Sequence, residues 1–458
     1  MAGIGFELKK IYGRKTLAAN LWGTIYATMS TIGPAVLSAV LLLLLEFLLA
    51  RTGLTLLEER FFIAATSYTF VIATLVAVLF AAPVSRYISD CIFLNKESDI
   101  CPSAFGVLAL SSTVSGIIMF LLCAGMYFQD KVPMPFLISY YLMGVLATDV
   151  YSMMTYASAL KHYKVLTFSF FLGFLLAVGV WFLCTGLLGV DKVTAAYMGL
   201  ACCYFLILLS LVFQCVRAFG MPHGRCFAFL SYFRRYPKLA VAGFAYTLGI
   251  YCPTLIYWFF SGITEKVSIF LTAPVYDYAL FLAVFMNMPS LVIFVVKVET
   301  AFYEKYTLYV SALNNGTTYE MIQKEREVMG RTLRHQLFFV YEIQLIITVV
   351  LICLVSVFFP FLNAGTYMLH MFIILSLGVY TVFCMYFTIV VFYYFSDYGG
   401  ACISSLVFLA VTVIGAVAAT LWNDFYPLPL LISGLCGWIV AFLLLRHRME
   451  KLDSFLMC

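Results

Sequence analysis

The sequence predicts an all-α polytopic membrane protein of about twelve transmembrane helices, arranged as two parallel six-helix lobes. Apolar residues make up 64% of the 458 and charged residues 11%, where a soluble domain carries about 45–50% and about 25%. The apolar residues gather into runs of about 20, the number that spans a hydrocarbon core of ~30 Å. Lys and Arg avoid those runs and crowd into alternate connections, as they do where loops are sorted to the two sides of a membrane.

Residues 2–15 read as an interfacial helix, with Ile4, Leu8 and Ile11 on one face and Lys9, Lys10, Arg14 and Lys15 nearby. The apolar run from Thr24 to Ala50 is too long for the h-region of a cleavable signal, and no small-residue cleavage site follows it. It is the first span, near 24–50. The next five lie near 61–84, 104–127, 133–157, 165–187 and 193–216. A basic, partly aromatic linker from Arg217 to Lys238 follows, containing Pro222, Gly224 and Arg234-Arg235. The remaining spans fall near 239–260, 268–296, 337–358, 368–395, 401–421 and 428–445. The domains are therefore 1–216, a six-helix lobe with its interfacial helix; 217–238, the linker; and 239–458, a second six-helix lobe with a hairpin at 297–336. In that hairpin Phe302, Tyr306, Tyr309 and Leu313 recur at helical spacing. Asn314-Asn315-Gly316 breaks the helix, and Thr317 to Glu320 reads as a capping box that opens a second one. The pair either lies on the membrane or holds a soluble partner.

An even number of spans puts both termini on one side. With the N-terminus inside, 22 of the 27 basic residues are cytoplasmic and 5 are outside, so a multi-pass protein of the cytoplasmic (inner) membrane with both termini cytoplasmic is expected. The sequon Asn315-Gly316-Thr317 then faces the cytoplasm and is a chance match. The first span of each half carries a proline, Pro34 and Pro253, and the second of each runs into an amphipathic segment, Ser85–Phe93 and Glu299–Leu313. Two six-helix repeats of the same orientation are a transporter plan.

An ionisable side chain at membrane depth is costly and by default a functional candidate. Asp149 in the fourth span and Asp277 in the eighth, between Tyr276 and Tyr278, lead; Glu46 and Glu342 follow. Each either binds a coupling proton or cation, faces a polar path, or hydrogen-bonds a neighbouring helix. Pro34, Pro253, Pro274 and Pro289 are candidate kinks, because a proline inside a helix frees a carbonyl. Aromatics reach 17%, and sugar C–H faces pack on aromatic rings. Tyr246, Tyr251, Tyr257 and Trp258 on the seventh span are candidates for such a wall, against the plainer reading as lipid-facing or packing residues.

Signals for catalysis and cofactors are poor. The five histidines include one near a span, His370. There is no Walker motif, and the 14 cysteines form no C-x-x-C pair and no metal-spaced cluster. They read as buried thiols, although Cys123 and Cys184 both lie near outer helix ends, where a disulfide is an option. The expectation is no enzyme, no cofactor and no metal. The net charge of +5 sits in loops and does not imply nucleic acid.

Several stretches carry a family resemblance. The chain opens Met1-Ala2-Gly3-Ile4-Gly5-Phe6-Glu7-Leu8 followed by two lysines, and Gly33-Pro34 lies in the first span. Tyr276-Asp277 precedes Phe281-Leu282-Ala283, Pro289 and the string Val298-Glu299-Thr300, Phe302, Glu304-Lys305-Tyr306. The run Leu452–Met457 follows the last span. Along its whole length the sequence resembles the Pel exopolysaccharide transporter (PelG) family, of the multidrug/oligosaccharidyl-lipid/polysaccharide flippase superfamily. The resemblance implies two six-helix lobes forming a V-shaped cavity, and export of an N-acetylhexosamine-rich polymer. It implies as partners a cytosolic glycosyltransferase and small membrane scaffold subunits, one a cyclic-di-GMP receptor. It also implies Asp277 as a path residue and Phe302, Glu304, Lys305 and Tyr306, with Glu299, as hairpin residues at the enzyme interface. One departure is Pro253-Thr254, where the family carries an acidic–basic pair. A lipid-linked oligosaccharide flippase, a cation-coupled multidrug exporter, and a membrane scaffold for a glycosyltransferase are the alternatives.

Overall fold

The structure, a computed structural model, describes residues 33–160, 163–222, 224–314, 318–358 and 365–450. The predicted interfacial helix at 2–15, the sequon, the cap at Thr317 and the run 452–457 lie outside the described residues. Among the described residues, eleven helices are long and apolar enough to cross a membrane. The first predicted span is described from Gly33 on. The protein is an all-α, multi-pass membrane protein.

The chain folds as two compact units, one of residues 33–251 and 255–273, the other including 252–254 and the described residues from 274 on. The first holds α1 (Gly33–Arg51), α2 (Leu56–Phe93), α3 (Ile100–Asp130), α4 (Met134–Leu160), α5 (Tyr163–Gly186), α6 (Lys192–Phe219), the short α7 (Leu230–Arg235) and most of α8 (Pro237–Phe260). It ends in a hairpin of β1 (Glu265–Val267) and β2 (Phe270–Thr272). The helices start where the sequence supplies caps. Thr55 and Glu58 form a reciprocal capping box on α2, and the Asp191 carboxylate accepts from Thr194 N at 3.1 Å on α6. α4 and α6 pack along each other, α5 lies on α6, and α2 and α3 lie on α4. Close approach needs a missing side chain, since a Cβ on Gly199 of α6 would strike the Ala177 carbonyl of α5.

At 38 residues, α2 runs about 57 Å. The segment Ser85–Phe93 is therefore a continuation of the second span, not a separate element.

The eighth predicted span, 268–296, begins differently from expectation. Its first residues form the β-hairpin, with Glu265 paired to Thr272 and Ser268 at φ 58° in a two-residue turn. An apolar run this short reads alike as strand or helix in sequence, and Pro274 decides it by opening the helix that follows. One hydroxyl serves both main-chain groups of Leu271 in the hairpin: Tyr68 Oη donates to Leu271 O at 2.9 Å and accepts from Leu271 N at 3.2 Å. Phe270 is buried against Phe61, Tyr68 and Tyr140, and Arg60 pairs with Glu265 at 2.7 Å.

The second unit holds α9 (Pro274–Asn287), α10 (Pro289–Ile293), a π-helical turn (Phe294–Glu299), α11 (Thr300–Asn314), α12 (Tyr319–Phe358), α13 (Thr366–Tyr394), α14 (Tyr398–Trp422) and α15 (Leu428–Glu450). α13 is its centre and the most buried span among those described, packed by α15 and α9. The predicted hairpin exists as α11 and the start of α12. Its second arm and the ninth span, expected as separate helices, are one 40-residue helix of about 60 Å. Asp397 ties the unit together at one end. Buried, it caps α14 through Gly400 N and takes the Arg448 guanidinium in a fork, at 2.6 Å to Nε and 3.3 Å to the second nitrogen.

Candidate functional site

The most buried carboxylate described in the spans of the first unit is Asp149. Asp149 lies mid-length in α4 and is 5% exposed. Ser111 donates to one of its oxygens at 2.6 Å and Ser112 to the other at 2.7 Å. Adjacent residues on α3 serve one carboxyl group because its two oxygens diverge as the two side chains do. Among the described residues no cationic side chain pairs with it. A carboxylate buried with hydroxyl partners alone carries an uncompensated charge when ionised, so it is a natural acceptor for a proton or small cation. The run Ser111-Ser112-Thr113 inside an apolar span was the signal for this pair, and the sequence reading passed over it.

The aromatic candidates divide. Tyr246 and Tyr251 on α8 are half-buried, and Tyr251 lies beside Thr74 of α2 and Tyr151 of α4. Phe70 stacks on Tyr151 at 6.3 Å and meets Tyr204 at 6.1 Å. Tyr257 and Trp258, expected on an open wall, are instead core. Both are buried, and Trp258 stacks on Tyr68 at 4.2 Å beneath the hairpin.

In the second unit Asp277 is half-buried in the first turn of α9, where a negative charge suits the helix N-terminus, and Tyr276 beside it is buried. Glu46 on α1 is half-buried in the first unit; Glu342 lies on an exposed face of α12. The buried polar centre of the second unit was not foreseen. Where α9 stops, Asn287 Oδ1 accepts from Gln344 Nε2 at 2.6 Å and from Thr348 Oγ1 at 2.7 Å, while its own amide donates to Ala283 O. Gln344 and Thr348 are one turn apart on α12, so both reach one point. Their types are common in membrane helices, and only the break at Asn287 brings them together.

The candidate kinks also divide. Pro253 is buried inside α8, while Pro34 is the second described residue of α1. Pro274 opens α9 and Pro289 opens α10, positions where a missing N–H costs nothing. Pro274 starts its helix rather than bending it, whereas Pro289 lies within the span Pro274–Ile293 at the one-residue break after Asn287. Pro83, inside α2 and buried, was missed.

At the hairpin, Phe302 is fully buried against Tyr394 and Phe395, and Tyr306 meets the same two rings. Phe302, expected at a partner surface, is therefore an anchor that fixes α11 to the end of α13. Glu304 is exposed and Lys305 half-exposed beside it. Cys123 and Cys184 are free thiols, so the disulfide option falls. Among the described residues no group of three metal-ligating side chains converges.

This chain is a polytopic helical membrane protein with isolated buried carboxyl and amide groups. It is similar to an outward-facing multidrug-resistance MATE family transporter of the MOP superfamily, with a TM-score of 0.62, 12% identity, and coverage of 94% of this chain and 96% of that one. It is also similar to a MOP superfamily transporter from Pyrococcus furiosus, at 0.64, 12%, 94% and 96%, and to an inward-facing MATE family transporter, at 0.57, 12%, 93% and 96%. These likenesses give the fold. No curated protein matches the chain. The profile of the PelG family, described as "Putative exopolysaccharide Exporter (EPS-E)", matches residues 1–456. The chain belongs to the PelG family of exopolysaccharide exporters.

Proposed function

We propose that this chain carries an N-acetylhexosamine-rich exopolysaccharide across the cytoplasmic (inner) membrane, with both termini in the cytoplasm. The observation that carries the reading is the family match over essentially the whole length, 1–456. The excess of basic residues in the linker, the hairpin and the terminal segments supports the orientation. The chain acts as conduit and not as catalyst, and needs no cofactor. The polymer is made by a cytosolic glycosyltransferase, with small membrane scaffold subunits, one a cyclic-di-GMP receptor, completing the complex. The exposed flank of the hairpin at Glu304 and Lys305 is the surface offered to the enzyme.

Asp149 is the coupling or sugar-binding carboxylate of the first unit, and Asp277 with Tyr276 a second polar contact. A neutral Asp149 donates a hydrogen bond to one serine or a sugar hydroxyl; an ionised one holds a cation or accepts from hydroxyls. Half-buried Tyr246 and Tyr251 offer ring faces to sugar C–H groups and hydroxyls to their oxygens.

The test is vectorial synthesis. Proteoliposomes hold this chain, the glycosyltransferase and the scaffold subunits, and receive labelled UDP-N-acetylhexosamine on the cytoplasmic face. Polymer that becomes protected from added glycosidase only when this chain is present supports the conduit. Polymer made but fully digestible, with every subunit folded, refutes it and favours a scaffold role.

A further inference from the structure

The linker that joins α6 to α8 is helical and two-faced. Main-chain bonds run from Leu230 N to Phe227 O, Ser231 N to Ala228 O, Tyr232 N to Phe229 O and Tyr236 N to Tyr232 O, so the winding begins a turn ahead of α7 and continues past it. One face is pinned to α2 and α3. Phe229 is fully buried, and the backbone comes so close to α3 that a Cβ on Gly106 would collide with the Cys226 carbonyl. Tyr232 Oη donates to Asp90 Oδ2 at 3.0 Å and its ring meets Tyr87 edge-on at 5.2 Å. Burial, then that bond to Asp90, pushes the Tyr232 hydroxyl up to about 12, so it stays a donor at neutral pH. Phe233 meets Phe80 at 6.3 Å, and the Arg86 guanidinium lies 5.5 Å from the Tyr236 ring. The segment is therefore held in one orientation.

The other face is exposed, and its composition is specific. Phe227, Leu230 and Arg234 follow one another at spacings of three and four, on one side of the winding. Phe227 is 50% and Leu230 41% exposed. Arg217, Arg225, Arg234, Arg235 and Lys238 are all exposed, and no Asp or Glu occurs from 217 to 238. The helices on either side both cross the membrane, so the linker lies at the bilayer surface. Apolar side chains exposed there enter the boundary between headgroups and acyl chains, and Lys and Arg beside them draw anionic headgroups. An acidic protein surface would also attract the charges, but it gives Phe227 and Leu230 no apolar phase to enter.

We propose that residues 217–238 are an anchor for anionic phospholipid. Phe227 and Leu230 insert at the headgroup boundary of the adjacent leaflet, and Arg225, Arg234 and Arg235 hold headgroup phosphates. The anchor fixes the membrane-facing end of α2 and α3 through the pinned face, so the lipid composition of that leaflet bears directly on the first unit.

The test uses the full chain in nanodiscs of mixed phosphatidylglycerol and phosphatidylcholine, with native mass spectrometry of the lipids retained after release. Wild type is expected to retain phosphatidylglycerol preferentially, and less so as salt rises. The variant Arg225→Ser/Arg234→Ser/Arg235→Ser is expected to lose at least tenfold of that preference, each charge being worth roughly fivefold. A control, Lys324→Ser/Arg331→Ser/Arg334→Ser on α12, keeps it. An unchanged preference in the linker variant, or an equal loss in the control, overturns the proposal. So does loss of export by the linker variant without loss of lipid preference, which points to a protein partner. Hydrogen–deuterium exchange of wild type gives a reading that needs no variant. Segment 225–236 is expected to be more protected with phosphatidylglycerol than with phosphatidylcholine alone, and equal protection refutes the anchor.

Discussion

Replacing Asp149 by Asn separates the chemistry of this carboxylate from its packing. Asn keeps the volume, one acceptor oxygen for one serine, and an amide that donates to the other, since a serine hydroxyl both gives and takes. Relative to a neutral Asp149 the change exchanges one hydrogen bond for another, so stability is expected to move by about 1 kcal/mol or less. Relative to an ionised one, it gives up two charge-assisted bonds of about 1.5–3 kcal/mol each and recovers a desolvation cost of similar size. Asp149→Ala differs, because it leaves both hydroxyls short of their acceptor. Ser111 falls back on Leu108 O, 3.2 Å away, so the loss concentrates on Ser112 and is expected at about 1–3 kcal/mol. In transport the order changes. Asn can neither take a proton nor hold a cation, so protected polymer in the proteoliposome assay is expected to appear at least tenfold more slowly, a barrier rise of about 1.4 kcal/mol. Fluorescence-detected unfolding, run on the same preparations, checks that the chain is intact. Export by Asp149→Asn at the wild-type rate and normal protein level would remove Asp149 from the mechanism.

Three further outcomes follow from the packing. Tyr68→Phe removes the hydroxyl that serves both main-chain groups of Leu271, and is expected to cost about 1–2 kcal/mol in thermal unfolding and to speed hydrogen exchange at 265–272. Asn287→Ala strips the shared acceptor from Gln344 and Thr348 and is expected to cost about 2–3 kcal/mol, whereas Thr348→Ser, which keeps the hydroxyl, costs under 1; equal losses would rule out the hydrogen bond as the cause. Arg448→Lys replaces a two-point fork on buried Asp397 by a point charge and is expected to lower stability by about 1 kcal/mol, read in detergent as an earlier unfolding midpoint.

Much of the fold was legible because the solvent is lipid. A chain that must satisfy every main-chain group within itself has helices as its answer, so apolar run length placed the spans, whereas ends such as the Thr55–Glu58 capping box came from the structure. The errors have a common cause. Composition does not distinguish Phe270–Thr272 as a strand from the start of a span, and it does not show that the spans beginning near 61 and 337 extend as single helices well outside the bilayer. Nor does it tell a proline that opens a helix, Pro274, from one inside it, Pro253.

The candidate site was legible only one residue at a time. Asp149 stood out in sequence because a carboxyl in an apolar run is expensive anywhere, and Asp277 because it lies within a string that resembles a family. What surrounds them came from packing. Ser111 and Ser112 are ordinary small polar residues until α3 lies against α4 and turns both hydroxyls to one carboxylate. Asn287 meets Gln344 and Thr348, some sixty residues on in the chain, only because α9 ends beside α12. Phe302 and Trp258 look alike in sequence to any aromatic at an interface, and become anchors through the rings that the fold brings to them. A helical membrane protein resembling the exopolysaccharide exporter family was already written in the chain, since hydropathy and local motifs are properties of a segment and its solvent. Which polar groups share a hydrogen bond and which aromatics are buried came from packing, because those depend on faces of helices meeting across long separations in the chain.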